Sequence, residues 1–246
     1  VELDGERLVL VGAWNGRFYA LRWQASPPAL VEAWHNELPP ADGLRCPVRK
    51  VRSGATVGQI IPGGDPEIAF GYMSESDGLD QYKTARLRVV TARGGHTLGD
   101  VEVWDWKSTP SAADLDPASP GLELTGGRYQ GHYALRGDGS GHFAVAWNPT
   151  IGDGNGGWGG NRTSPAVADL DGDGDLEVVM GVEGSMAPGL VVYDGATGRV
   201  EWTLELPGTT GLDSSPAIGD LDGDGELELA FFGRDGKAYA IDSSCK

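Results

Sequence analysis

Short apolar stretches rich in β-branched and aromatic residues recur along the whole chain, broken by clusters of Gly, Pro, Asp and Ser. They cover residues 7–12, 17–21, 68–71, 87–90, 122–124, 132–135, 176–180, 190–193, 227–232 and 237–241. None sustains a period of 3.6 residues, and the turn residues between them fit strand boundaries, so the pattern predicts an all-β chain. The stretches also recur in a fixed order: a small-residue strand, a polar loop, an apolar strand ending at Gly, a third strand, a tight turn and a fourth strand. Third strands read 17–21, 87–90, 132–135, 190–193 and 237–241. Trp34, Trp104, Trp147 and Trp202 mark the fourth.

The order reflects an internal repeat. Residues 164–177 and 215–228 are near-copies that open on Ser-Pro-Ala and close on Leu-Glu. Weaker copies begin at Thr109-Pro110-Ser111, at Pro66-Glu67-Ile68 and at Arg7. Glu67, Glu123, Glu177 and Glu228 then recur at intervals of roughly 50 residues, the size of a four-stranded propeller blade with its loops. The expected fold is a single all-β domain over residues 1–246, a β-propeller of about five four-stranded blades. Its units span approximately 1–45, 46–108, 109–160, 161–212 and 213–246. Unit one lacks a Ser-Pro-Ala strand and unit five stops before its Trp strand, so the ring is incomplete or is completed by a neighbouring chain. Propellers close by pairing their ends, because an open edge invites association.

The two strong copies carry candidate chemistry. Asp169, Asp171 and Asp173 stand at alternate positions with Glu177 four residues on, and Asp220, Asp222, Asp224 and Glu228 repeat the scheme. So many anions in one short loop repel one another unless a cation neutralises them. Oxygen-only ligands in a carboxylate-rich cage favour Ca2+ over Mg2+, which demands a strict octahedron and keeps its waters. Gly172 and Gly174 allow the backbone to curl round an ion. Main-chain carbonyls of Asp175 and Glu226 are expected to complete each shell. An EF-hand begins similarly, but it needs a Glu at loop position twelve, where this chain has Met180 and Phe231, and a following helix where this chain has β-formers.

With these residues in view, the repeats resemble FG-GAP/VCBS repeats, the calcium-binding propeller units also found in integrin α-chain heads, some lectins and secreted polysaccharide-active proteins. The resemblance covers residues 164–246 well and 109–147 in part; before residue 75 it follows strand order alone. It implies two calcium sites. A third, around Asp114 and Asp116, is weakened by Ala118 and Ser119 where a ligand and a glycine belong. The run from Asp194 to Trp202 also resembles the tryptophan-docking repeat of quinoprotein propellers, in which the Trp packs blade on blade, so it speaks for fold more than for a cofactor.

Composition narrows the partners. A net charge of −17 excludes a nucleic-acid role, which needs a basic face. No stretch is long enough to span a membrane as a helix, and no zinc or haem spacing occurs. The start at Val1 fits a mature product after signal removal, and equally a fragment. Cys46 and Cys245 either pair, locking the ends of a ring, or stay as separate thiols or bond another chain. The four histidines are spread over three units with no nucleophile and base arrangement, so the expectation is a protein without enzymatic activity.

Three surface features stand outside the repeat logic. Trp158, flanked by glycines with Asn161 and Arg162 nearby, is a candidate for stacking on a sugar ring, and Trp14 is a second of the same type. Arg136-Gly137-Asp138 matches an integrin-recognition tripeptide, but its Gly, Asp and Ser surroundings fit an ordinary strand turn. The acidic stretch 74–82 is expected to be a loop between second and third strands. The sequence therefore points to an extracellular binding or adhesion module, secreted, periplasmic or at the cell surface, taking a glycan or a protein. The alternatives are a structural subunit of an extracellular assembly, joined through its incomplete end blades, and a fragment of a quinone-dependent or polysaccharide-active enzyme.

Overall fold

The computed structural model describes residues 1–3, 5–39, 48–75, 84–103, 108–128, 131–149, 163–182, 189–206, 211–212 and 214–242. Among them there is no helix, only strands in five sheets. The first sheet orders β1 (Glu2–Leu3), β2 (Glu6–Gly12), β3 (Arg17–Ala25) and β4 (Pro28–Glu37); the second orders β5 (Val48–Gly58), β6 (Glu67–Glu75), β7 (Thr84–Thr91) and β8 (Thr97–Glu102). The third contains β9 (Ser111–Ala113), β10 (Glu123–Arg128), β11 (Gly131–Gly137) and β12 (Phe143–Trp147). The fourth contains β13 (Ala166–Ala168), β14 (Glu177–Val182), β15 (Gly189–Asp194) and β16 (Val200–Glu205), and the last β17 (Ala217–Gly219), β18 (Glu228–Phe232) and β19 (Ala238–Asp242). Each sheet is an antiparallel meander, the blade of a β-propeller. Blade one, expected to lack its first strand, has one after all: a two-residue stub paired Glu2 to Arg7 and Leu3 to Glu6, too short to leave a periodic signal.

The core lies between blades. Along β14, Val178 and Met180 pack toward Ala134 and Trp147 of blade three, while Val179 packs toward Leu229 and Phe231 of blade five. Each middle strand thus has two apolar faces, which is why it appears in sequence as an unbroken apolar run rather than an alternating one. Outer strands such as β16 alternate between exposed and half-buried positions. Between blades one and two, Phe18 stacks on Phe70 with ring centroids 4.1 Å apart. On the other face of blade one, Val9, Val11, Trp23 and Leu30 are exposed, and in blade five so is Phe232.

Two side-chain devices recur from blade to blade. A Ser or Thr, within the first strand in blade two and just before it in blades three to five, bonds the second strand of its own blade: Ser53 with Gly71, Thr163 with Gly181 and Ser214 with Phe232 both donate to the carbonyl and accept from the amide, and Ser108 accepts from the Gly127 amide. The next residue links blades. The Gly54 amide donates to the Thr109 hydroxyl, the Thr109 amide to Ser164, and the Ser164 amide to Ser215, at 2.9, 3.0 and 2.9 Å.

The outer strands lock the blades at larger radius. Trp34 Nε1 donates to the Ala92 carbonyl of blade two at 3.1 Å, and Trp147 Nε1 to the Gly195 carbonyl of blade four at 2.7 Å. Each indole lies in the next blade's turn, on a positive-φ glycine whose side chain would otherwise fill that space. A Cβ at Gly95 would stand 2.4 Å from Trp34, and one at Gly198 2.5 Å from Trp147. Trp202 packs half-buried against the apolar cluster shared with blade five. In blade two the equivalent position is held by Gly99. Strand β8 ends at Glu102, the register position opposite Val89 is Gly99, and Trp104 lies outside the described residues.

Blades one and two also share a polar network. The buried Arg88 guanidinium bonds Asp100, Asn36 Oδ1 at 2.9 Å, the Glu37 carbonyl at 3.1 Å and the Tyr72 hydroxyl. Asp100 also binds Arg86. Burial, ahead of its charged neighbours, pushes the Tyr72 phenol far above its usual range.

Candidate functional site

Each Asp-rich loop joins the first strand of a blade to its second, β13 to β14 and β17 to β18. Its far end is fixed by the Glu that opens the second strand. Glu177 Oε2 accepts the Leu170 amide at 2.6 Å, and Glu228 Oε2 the Leu221 amide at 2.5 Å. The same clamp closes the loops that lack the Asp series: Glu123 accepts from Leu115 and Asp116, and Glu67 from Ile61. All four carboxylates are buried. A charged group is kept there because backbone donors satisfy it.

Within each loop the Asp side chains organise the backbone in the same way twice. Asp169 accepts the amides of Gly172 and Gly174, and Asp220 those of Gly223 and Gly225. Asp171 accepts from Asp173 and Asp173 from Asp175, as Asp222 does from Asp224 and Asp224 from Glu226. The glycines all have positive φ, which permits the curl.

The result is two acidic clusters. Asp169, Asp171 and Glu177 place one carboxylate oxygen each within 4.8 Å of one another, and Asp220, Asp222 and Glu228 do the same. Two anions 4 Å apart repel by about 1 kcal/mol in water and about 4 kcal/mol near a protein surface. At Glu177 burial adds to that repulsion: it is the main cause that pushes the carboxyl up to about 7, against the Leu170 hydrogen bond, with Glu201, Asp171 and Asp173 contributing less. A hard cation would reverse that cost, and the all-oxygen donor set suits one. Asp173, Asp175, Asp224 and Glu226 stand beside the clusters rather than in them, their amides or carboxylates engaged in the loop's own turns.

The loop around Asp114 and Asp116 makes no such cluster among the described residues. Arg136, on β11, places Nη2 2.5 Å from Asp116 and Nε 3.9 Å from Glu123. A guanidinium occupies this loop. The arginine of the Arg136-Gly137-Asp138 tripeptide is thereby committed, and Asp138 caps its own turn through the amide and hydroxyl of Ser140. The tripeptide is a strand turn, as its composition indicated.

The aromatic candidates divide. Trp14 is 62% exposed, with Lys50 Nζ 4.8 Å and Arg52 Cζ 4.4 Å from its ring centroid. Trp158, Asn161 and Arg162 lie outside the described residues, as do Cys46, Cys245 and most of the acidic stretch 74–82. One feature had no sequence signal. Beside Gly99, where the docking Trp is missing, a cleft of about 550 Å³ opens between β8 and the β11–β12 turn, lined by Arg86, Asp100, Glu102 and His142.

Family models described as FG-GAP-like repeat and FG-GAP repeat match residues 122–180 and 161–200. Among solved structures the chain is similar to a europium-containing methanol dehydrogenase, at 14% identity and a TM-score of 0.62 over 98% of this chain and 48% of that one. It is similar also to BBS1N from a complex with ARL6DN, at 17% and 0.56 over 96% and 61%, and to the quinohemoprotein alcohol dehydrogenase from Comamonas testosteroni, at 14% and 0.52 over 95% and 36%. No curated protein matches. The chain spans less than two thirds of each of these longer chains, and at such identities the likeness shows the fold alone, a β-propeller, with the FG-GAP matches confined to residues 122–200.

Proposed function

We propose that this FG-GAP-repeat propeller is a calcium-stabilised binding and adhesion module that works outside the cytosol, secreted, periplasmic or at a cell surface, and acts by binding rather than by catalysis. Two loops would each hold one Ca2+. Asp169, Asp171 and Glu177 form one cage and Asp220, Asp222 and Glu228 the other, with Asp173, Asp224 and the main-chain carbonyls of Asp175 and Glu226 as further donors. The ion would supply charge neutralisation and order, pinning each loop to its Glu clamp.

Calcium at a hundred times its Kd contributes about 2.7 kcal/mol per site. For a chain of this size that raises Tm by about 5 to 10 °C. Asp171→Ala and Asp222→Ala are each expected to remove roughly half of the difference between melts in calcium and in chelator. Identical melts of the parent protein in both conditions would end the metal reading.

The observation that carries a binding role is Trp14, a large exposed aromatic held in place by Lys50 and Arg52 on the turn between β2 and β3. An exposed ring of this kind presents a flat apolar platform with polar neighbours, which suits a sugar face or an extracellular protein side chain. A glycan array with calcium-loaded protein tests it. Saturable binding to one sugar class, weakened at least tenfold in Trp14→Ala, is expected. A blank array rejects the glycan and moves the ligand to protein, with the exposed Val9, Val11, Trp23 and Leu30 face of blade one as the surface to examine first.

A further inference from the structure

We infer that calcium control is confined to blades four and five, because the loop of blade three carries a tethered arginine in place of an ion. The inference rests on the calcium reading above and adds to it a boundary within the fold.

The four loops share the Glu clamp and differ in what faces it. In blade four the residue opposite Glu177 is Asp194, and in blade five the residue opposite Glu228 is Asp242. Both loops therefore have an acid at the cross-strand position, which adds to the negative charge there. In blade three β11 runs one step past the Leu124–Leu135 pair to Arg136, whose guanidinium reaches Asp116 and Glu123. In blade two the residue opposite Glu67 is the uncharged Thr91, and the loop lacks the Asp series; Arg93, in the adjoining turn, pairs with Asp65. The arginine of blade three marks where positive charge belongs in the shared scaffold. Its presence closes that loop to a metal.

The two solutions differ in their dependence on the surroundings. A guanidinium is charged at every accessible pH and cannot dissociate from its own chain. An extracellular calcium site fills only at about 0.1 to 1 mM. Blade three therefore keeps its loop ordered at any calcium level, and blades four and five order theirs only above the binding threshold. The boundary falls at the junction where Trp147 of blade three enters the Gly195–Gly198 turn of blade four.

Hydrogen exchange measured by mass spectrometry in calcium and in chelator, with calcium stoichiometry by calorimetry, tests this. Two calcium ions per chain are expected, with exchange slowed at least tenfold in residues 166–182 and 217–232 and unchanged in 111–128. Arg136→Ala is expected to speed exchange in 111–128 equally with and without calcium, and Arg136→Lys to restore slow exchange. If Arg136→Ala does not fold, the exchange map of the unaltered protein decides alone. Slowing of 111–128 by calcium to the extent seen in 166–182, or Arg136→Ala exchange identical to the parent, would overturn the inference while leaving the calcium reading intact. No bound calcium and no change anywhere would overturn both.

Discussion

Trp147→Ala is expected to be among the most damaging single substitutions in this protein, lowering stability by about 3 to 5 kcal/mol, the usual cost of truncating a buried aromatic. The indole is buried, stacks on Tyr193 with centroids 5.5 Å apart, and fills the turn beneath Gly198 while bonding the Gly195 carbonyl. Its removal opens a cavity between two blades and leaves a carbonyl without its donor. Trp202→Ala, at a half-buried position, should cost less. Gly198→Ala reaches the same joint from the other side, by pressing a methyl into the ring and straining a backbone at φ of 69°. Urea unfolding measures all three. A loss below about 1 kcal/mol in Trp147→Ala would mean that the blades do not depend on this joint.

Asp100→Ala is expected to cost about 3 to 5 kcal/mol, for an electrostatic reason. Arg88 is 7% exposed at its side chain and has Asp100 as its carboxylate partner. Without that carboxylate, a buried guanidinium is left with neutral acceptors alone, Asn36 Oδ1, the Glu37 carbonyl and the Tyr72 hydroxyl. The double replacement Arg88→Met with Asp100→Leu removes both charges together and is expected to recover most of the loss, since an apolar pair of similar volume is often as stable as a buried ion pair. If the double variant is no more stable than Asp100→Ala, the network contributes through shape or through the Tyr72 hydroxyl rather than through paired charge.

Features written in contiguous residues were legible in the sequence. The Asp series from Asp169 to Glu177 is a local code, because every carboxylate that forms the cluster lies within one loop. Middle strands such as β14 could be recognised because packing against blades on both sides demands an unbroken apolar run. The equivalence of Glu67, Glu123, Glu177 and Glu228 emerged from spacing, and each proves to be a loop clamp.

What escaped depends on residues far apart in sequence. Arg136 reaches Asp116 from a neighbouring strand, so a third metal loop could be weakened on its own residues but not seen to be filled. Blades one, three and four each place their Trp opposite the last residue before a β-bulge, and in blade two that register position holds Gly99, which the marker Trp104 could not reveal. Thr109, Ser164 and Ser215 were read as the opening of a small-residue first strand, with no partners assigned to their hydroxyls. The Ser or Thr immediately before each bonds a strand 18 or 19 residues on within the blade, and their own partners lie 51 to 55 residues away in the preceding blade.

That last series has a direction. In every link the hydroxyl belongs to the later blade and the amide to the earlier one: Thr109 receives Gly54, Ser164 receives Thr109, and Ser215 receives Ser164. An earlier blade therefore completes its inner hydrogen bonding only after its successor exists. During synthesis, at about 5 to 20 residues per second, the partner hydroxyl follows by several seconds. Each blade waits on the next to leave the ribosome, so the rhythm of translation should set the order in which the inner strands are sealed.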